Sequence, residues 1–577
     1  MHYRLNKIFL LLVVIALFSG CGSDSKAING LNSGIVDENT NNSSGLSGIK
    51  PNGNTDSSSD CNNSAVASYR GLQFYYENLP KSQYKLEQLS DDEFNALSSN
   101  AKLKVANKLL ESLFFGYPHS NLKEKIDSQS FLSNVFNALS EENIDTQELE
   151  SAILDNSKYV QYRDKSWAQP QVLTILTRFY EMDKLDKYYL QNWISYILTQ
   201  TIMFSPAYEL GSTHAPNIAN VYNRIVNMLS IDSGMRYITY VHMMSEENWR
   251  RFRSPEDNGR EMLEIYTLNA RDSDVPLAAK ALQNWRLNTD SDTLEVGLNK
   301  NHSPIKLFNT TLFTGEDFYR ELVKSKSFKY GVTKRLVDFF FPKKSESKRD
   351  EITKSIVSSN PQKWQDILLQ IIFSKEYLLN NQRALSAEER FYSLAKKMKF
   401  KAKRNTFHSF KNSLTRMNQA SMKYKLGKLE RVPLDSLSFA NYHKLIREEF
   451  MLNIAINGET NRDSWRYDGW SLEFIDASNF SLEGTNEQVL TSYINYLFMA
   501  TIQREATASE LKLFKEHMLS NGKFKGEFNI LTRRDNNENK EREERRKRVA
   551  IIVLDYISRL DELYMQREVK QWIEEIL

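Results

Sequence analysis

Ser90-Asp-Asp-Glu-Phe-Asn-Ala-Leu-Ser-Ser-Asn-Ala-Lys-Leu-Lys-Val-Ala-Asn-Lys-Leu-Leu-Glu-Ser-Leu113 is the stretch on which the fold class turns. Its first four residues spell a capping box: the Ser90 hydroxyl accepts from the third helical amide while Glu93 reaches back to the amide of Ser90. Behind it, Leu103, Ala106, Leu109, Leu110 and Leu113 recur at the three-and-four spacing of a helix with one apolar face. The same kind of start stands at Ser386-Ala-Glu-Glu389 and at Thr507-Ala-Ser-Glu510, the latter followed by Leu511, Phe514 and Met518. Near the C-terminus, Val549, Ile552, Val553, Tyr556, Leu560, Leu563 and Tyr564 form another stripe. Alternating apolar and polar runs are scarce. Of 21 glycines, seven lie at or before Gly53, so the long remainder has few residues that favour tight turns. These patterns predict an all-α protein: a large multi-helix array with room for two packed helical subdomains, 66–385 and 386–577. The division falls where Asn380–Ser386 interrupts one helical pattern before a capped start.

Working outward to the N-terminus, the character changes. Arg4 and Lys7 precede a continuous apolar run, Ile8–Phe18, which is too short to span a bilayer and ends in Ser19-Gly20-Cys21. That order resembles a bacterial lipoprotein box, with 1–20 as the signal peptide and Cys21 as the residue that takes the acyl groups. Two or more chains at ~0.8 kcal/mol per buried methylene anchor a protein stably in a membrane. Gly22 stands where an Asp would retain a lipoprotein in the inner membrane, which directs the expectation to the bacterial cell envelope and its outer membrane. Residues 21–65 are rich in Ser, Asn and Gly and read as a flexible tether between lipid and body.

Composition excludes several classes. At 41% hydrophobic and 26% charged residues the chain has the balance of a core-forming globular protein. No apolar run approaches the ~20 residues of a spanning helix. Two cysteines, Cys21 and Cys61, cannot make a disulfide scaffold, and lipidation of Cys21 would leave Cys61 alone. The formal net charge is only +3, and loss of Arg4 and Lys7 with the signal lowers it further, so the overall balance points to no partner.

Arg260-Glu-Met-Leu-Glu-Ile-Tyr-Thr-Leu-Asn269, followed by Ala278-Ala-Lys-Ala-Leu-Gln-Asn-Trp285, carries the most specific pattern in the chain. It resembles the hallmark of the bacterial family called domain of unknown function 1800. Glu256, Arg260, Glu261, Leu263, Glu264, Thr267, Leu268, Ala281, Leu282 and Trp285 stand at matching positions. Phe318–Phe341, Leu368–Tyr377 and Tyr493–Leu511 resemble the family's flanking segments. This chain departs from the hallmark at Pro255, Asp257, Gly259 and Asn269. It also has Asn192-Trp-Ile-Ser-Tyr196 where members commonly carry two histidines. The resemblance implies export, a mostly helical fold and frequent company with an exported sulfatase-like protein. It implies no established activity.

The candidate chemistry centres on that motif. Arg260, Glu261 and Glu264 are spaced to share one side of a helix. Glu261 and Glu264 read either as an acid–base pair, crowding raising one pKa, or as part of an ion-pair cluster with Arg260. None of the eight histidines forms a metal-binding spacing, and no nucleotide-binding loop or nucleophile elbow occurs, so neither metal nor cofactor is expected. His214 lies in a loop, where a solvated role is the ordinary one. Between Lys396 and Arg431, 12 Lys or Arg face a single acid, Glu430, with Phe400, Phe407, Phe410 and Tyr424 interleaved. In an exported protein this stretch, with Lys401, Lys403 and Arg404, suits an anionic envelope polymer or lipid headgroups rather than nucleic acid, or else a solvated helix face. Trp465, Tyr467 and Trp470 crowd a loop-rich zone and suit either sugar stacking or anchorage into the core.

Three functional expectations follow. The first is a lipid-anchored binding or scaffold protein of the envelope. The second is a hydrolase or lyase on an envelope polysaccharide that uses Glu261 or Glu264. The third is an assembly factor for a neighbouring sulfatase-like enzyme.

Overall fold

The computed structural model describes residues 66–69, 72–75, 83–141, 168–203, 218–288, 293–297, 301–400, 407, 410–414, 436–447, 480–481, 483–520 and 539–569. Helix makes up 65% of the interpretable residues and strand 6%, so the all-α expectation holds. Among the described residues no helix is long and apolar enough to cross a membrane.

The stretch that decides the fold class forms two helices rather than one. Ser90 caps Asp91–Asn95 with both bonds of the capping box in place. Ser98 then accepts from the amide of Ala101 and starts a separate helix, Ser99–Ser112. The apolar stripe belongs to this second helix, and Leu103, Ala106, Leu109, Leu110 and Leu113 are all buried. Reciprocal caps also form at Ser386 with Glu389 and at Thr507 with Glu510.

Helix Lys187–Gln200 packs on Ile218–Ser230. Helix Pro255–Thr267 lies against both Val275–Ala281 and Lys326–Phe340, and the last of these packs on Glu346–Ser358. Two glycines permit close approach at these crossings. A Cβ on Gly259 would come within 2.8 Å of the Cβ of Ala278, and one on Gly331 within 2.5 Å of the carbonyl oxygen of Tyr266. At Gly259 the helix crossing leaves no space for an added methyl group.

Among the described residues the strands form four antiparallel pairs. One of them, Arg383–Ala384 with Met565–Gln566, ties the C-terminal segment to the middle of the chain, and the amide of Leu385 donates to the carbonyl of Tyr564 at 2.8 Å. Immediately beyond, helix Ala387–Lys397 packs on Ser99–Ser112. Around residue 385 the chain therefore runs through the interior, and helices from both sides contribute to one hydrophobic core. All described residues fall in a single compact unit, Asn42–Leu577.

Candidate functional site

Helix Pro255–Thr267 presents the central motif. Its start is set by Ser254, whose hydroxyl accepts from the amide of Asp257, with Pro255 in the first turn. Met262, Leu263, Ile265 and Tyr266 face the core. The C-terminal end is held by Arg335, which donates from Nε to the carbonyl of Ile265 at 2.7 Å and from Nη2 to that of Glu264 at 2.8 Å. A cation at this end also favours the helix dipole. Trp285 stacks on Trp249, and Tyr319 receives the indole N–H of Trp249 while donating to Asn258.

The three candidate residues part company here. Arg260 pairs with Glu256, one turn earlier, at 3.5 Å, with both side chains about half exposed, at 45% and 49%. Helical side chains lean toward the N-terminus, which directs Arg260 to Glu256 rather than to Glu264. Glu264 is exposed. Glu261 is half-buried, and its Oε2 is shielded from solvent without a hydrogen-bond partner. Burial pushes its carboxyl up to about 7, aided by Glu264 and Asp257 and opposed by Arg251 and Arg260. Both acidic neighbours are on its own helix. The arrangement can hold a proton near neutral pH, but Glu261 and Glu264 do not face each other across a cleft.

The other sequence candidates are placed as follows. Cys21, Lys401, Lys403, Arg404, Trp465, Tyr467 and Trp470 lie outside the described residues, as do Cys61 and His214. Within the basic stretch, Phe400, Phe407 and Phe410 are buried in the core, and Phe391 stacks on Phe410 at 4.3 Å between centroids. Those three rings are packing residues and offer no face to a polymer. His242 is buried, and burial with Arg224 nearby lowers its imidazole to about 3. His119 is lowered to about 4, chiefly by burial. Among the described residues no group of His, Cys, Asp or Glu is placed to hold a metal ion.

Two features escaped the sequence reading. The first is a groove of about 570 Å³, within the size range of small-molecule sites. It is lined by Phe136, Leu190 and Leu369 together with the amide side chains of Gln88, Gln365 and Gln370. Lys187, Asp232 and Asp366 add one positive and two negative charges. Phe136 is 44% exposed, one of few large apolar residues left so open. The amides are partly pre-set: Gln88 donates to the carbonyl of Gln370 at 3.1 Å, and Gln370 to Ser359 Oγ at 3.0 Å. These residues come from five separate stretches of chain, so no local pattern could announce the groove.

The second is a buried ionic network. Glu111 Oε1 accepts from Arg390 Nη1 at 3.0 Å and from Lys397 Nζ at 3.1 Å. Arg383 grips both oxygens of Glu389 and also donates to the phenol of Tyr377, whose oxygen bonds Ser112 Oγ at 2.6 Å. Lys108 Nζ donates to the carbonyl of Asn381 at 2.6 Å. Burial, then the nearby Arg383, holds the Lys108 amine well below the ordinary lysine range. Lys104, Lys108 and Glu111 recur at i, i+4 and i+7, the polar face of Ser99–Ser112. That pattern ordinarily marks a solvated side; here Lys108 and Glu111 are buried on it.

Against these findings, no protein family, curated protein or solved structure matches the chain at a significant level.

Proposed function

We propose that this protein is a lipid-anchored binding protein of the bacterial envelope, exported by its N-terminal signal, held at the membrane through Cys21, and related to the domain-of-unknown-function 1800 type that its central motif resembles. The observation that carries the binding role is the groove of about 570 Å³ beside Phe136. An exposed ring with convergent amides is chemistry that receives a hydroxyl-rich or amide-rich chain: the ring stacks while the amides donate and accept. An envelope glycan or an extended segment of an exported partner, such as a sulfatase-like protein, meets that description. A photo-crosslinking residue placed at Phe136 in the full-length, membrane-bound protein tests the reading. It should trap a discrete adduct that the same probe at exposed Leu513, outside the groove, does not. Equal yields at the two positions would dismiss the groove as a binding site.

A second reading keeps a specific observation behind it. A carboxyl that holds its proton up to about pH 7, as Glu261 does, has the protonation state of a general acid. If the protein cleaves an envelope polysaccharide, Glu261→Gln would abolish turnover in a protein that still folds, while Glu264→Gln, at an exposed position, would leave most of it. Equal loss in both variants, or in neither, would remove the enzymatic reading.

A further inference from the structure

Three helices line the groove beside Phe136. On Trp364–Ile372, Gln365 and Leu369 stand four apart, as do Asp366 and Gln370, so two adjacent rows of that helix face the groove while Ile367, Leu368 and Ile371 go to the core. Lys187 and Leu190, three apart on helix Lys187–Gln200, form a second wall. Phe136 comes from helix Phe131–Ala138. Its ring is held edge-to-face against Phe373, at 5.5 Å between centroids, and is still 44% exposed. Leu190 and Leu369 are buried yet line the groove, so they form its apolar floor.

The carboxylates on its walls are already met. Asp232 is gripped by Lys363, at 2.6 and 2.5 Å, and Asp366 accepts the amides of Gln362 and Lys363, both at 2.9 Å. Lys187 is the one ammonium among the lining residues. An anionic polymer would meet two carboxylates for one amine, and repulsion disfavours it. The amides are less committed. Among the described residues Gln365 makes no side-chain hydrogen bond, and Gln88 makes one, from Nε2 to the carbonyl of Gln370. Gln88 therefore keeps its acceptor oxygen, and Gln365 keeps both a donor and an acceptor. The backbones of the helical walls are bonded internally, so an extended peptide finds no strand edge on those walls to pair with.

Taking the groove as the binding site put forward above, we propose that it receives a neutral N-acetylated glycan, an acetamido group meeting Gln88, Gln365 and the leucine floor while a sugar ring packs on Phe136. A trans acetamide presents its N–H and its carbonyl on opposite sides and a methyl group at one end. It needs a separate acceptor, a separate donor and an apolar contact, which are the amide oxygen of Gln88, the amide N–H of Gln365 and the side chain of Leu369. The C–H face of a sugar ring covers the exposed ring of Phe136. A sugar with hydroxyl groups alone leaves the floor uncovered, and a uronic acid brings its charge against Asp232 and Asp366.

Isothermal titration of the full-length protein, extracted from membranes in detergent, compares three soluble probes: the β-1,4 tetramer of N-acetylglucosamine, the glucose tetramer of the same linkage, and the galacturonate tetramer. The acetylated tetramer should bind about tenfold more tightly than the glucose tetramer, which lacks the amide hydrogen bonds and the methyl contact. Galacturonate should not bind detectably. Gln365→Ala, at a partly exposed position, should erase most of that preference, and Phe136→Ala should weaken both neutral tetramers. Equal affinity for the two neutral tetramers, tighter binding of galacturonate, or a preference intact in both variants overturns the assignment. So does failure of all three probes to bind. The crosslinking residue at Phe136 then separates the cases: a discrete protein adduct leaves the groove a binding site for a peptide partner, whereas yields equal to those at Leu513 remove the binding role itself.

Discussion

Leu268 closes helix Pro255–Thr267 in the left-handed region, with φ of 55°, where a branched side chain is strained. Leu268→Gly should stabilise the protein by about 0.5–1 kcal/mol in chemical denaturation, because glycine adopts this conformation without the steric cost; a loss of stability would show that the partly exposed Leu268 packs more than it strains. Glu261 makes a second prediction at this scale. Folded, its carboxyl keeps its proton up to about pH 7; unfolded, it releases it near 4.5. The folded state therefore binds the extra proton between those values, and the group's contribution, neutral below 4.5, turns unfavourable as pH climbs toward 7. Glu261→Gln should flatten that decline in melting temperature and leave the protein more stable than wild type at pH 8. A parallel profile would mean the carboxyl titrates normally. The pentapeptide Phe-Asn-Ala-Leu-Ser occurs at Phe94–Ser98 and again at Phe136–Ser140 and shows how little a short string fixes: Phe94 is buried, whereas Phe136 lines the groove.

At the scale of elements, caps and apolar stripes were legible and the partners of each face were not. Ser90, Ser386 and Thr507 start helices as their spacing predicts, because a capping box is complete within four residues. The polar face of Ser99–Ser112 gives no local sign of its partners: Arg390 and Lys397, nearly 300 positions away, neutralise Glu111. Breaking such a buried pairing by Glu111→Gln should cost about 3–5 kcal/mol in urea denaturation, since two buried cations lose their shared charge. A cost like that of an exposed pair would place the network in water. Where helix Lys326–Phe340 crosses Pro255–Thr267, Gly331→Ala should destabilise by about 1–3 kcal/mol, because the added Cβ would meet the carbonyl of Tyr266 and force the helices apart. Unchanged stability would mean the crossing has slack. Phe400, Phe407 and Phe410 are buried although their flanks are basic, because basic flanks say nothing about which way an intervening ring points.

For the whole molecule, fold class was readable because helices announce themselves locally, while the groove and the ionic network were not, being assembled from distant segments. The place of the protein in the cell rests on the opposite kind of information, a local N-terminal pattern whose consequence is global. Acylation of Cys21 would confine the body to a membrane surface and leave the groove beside Phe136 to sample whatever the envelope presents within reach of residues 21–65. Intact-mass and N-terminal peptide mass spectrometry of the protein extracted from membranes tests this account most directly. The account predicts a chain that begins at Cys21 and carries the mass of its acyl chains, and release of the Cys21→Ser variant from the membrane fraction. A chain that retains residues 1–20, or one with residue 21 unmodified, would contradict it.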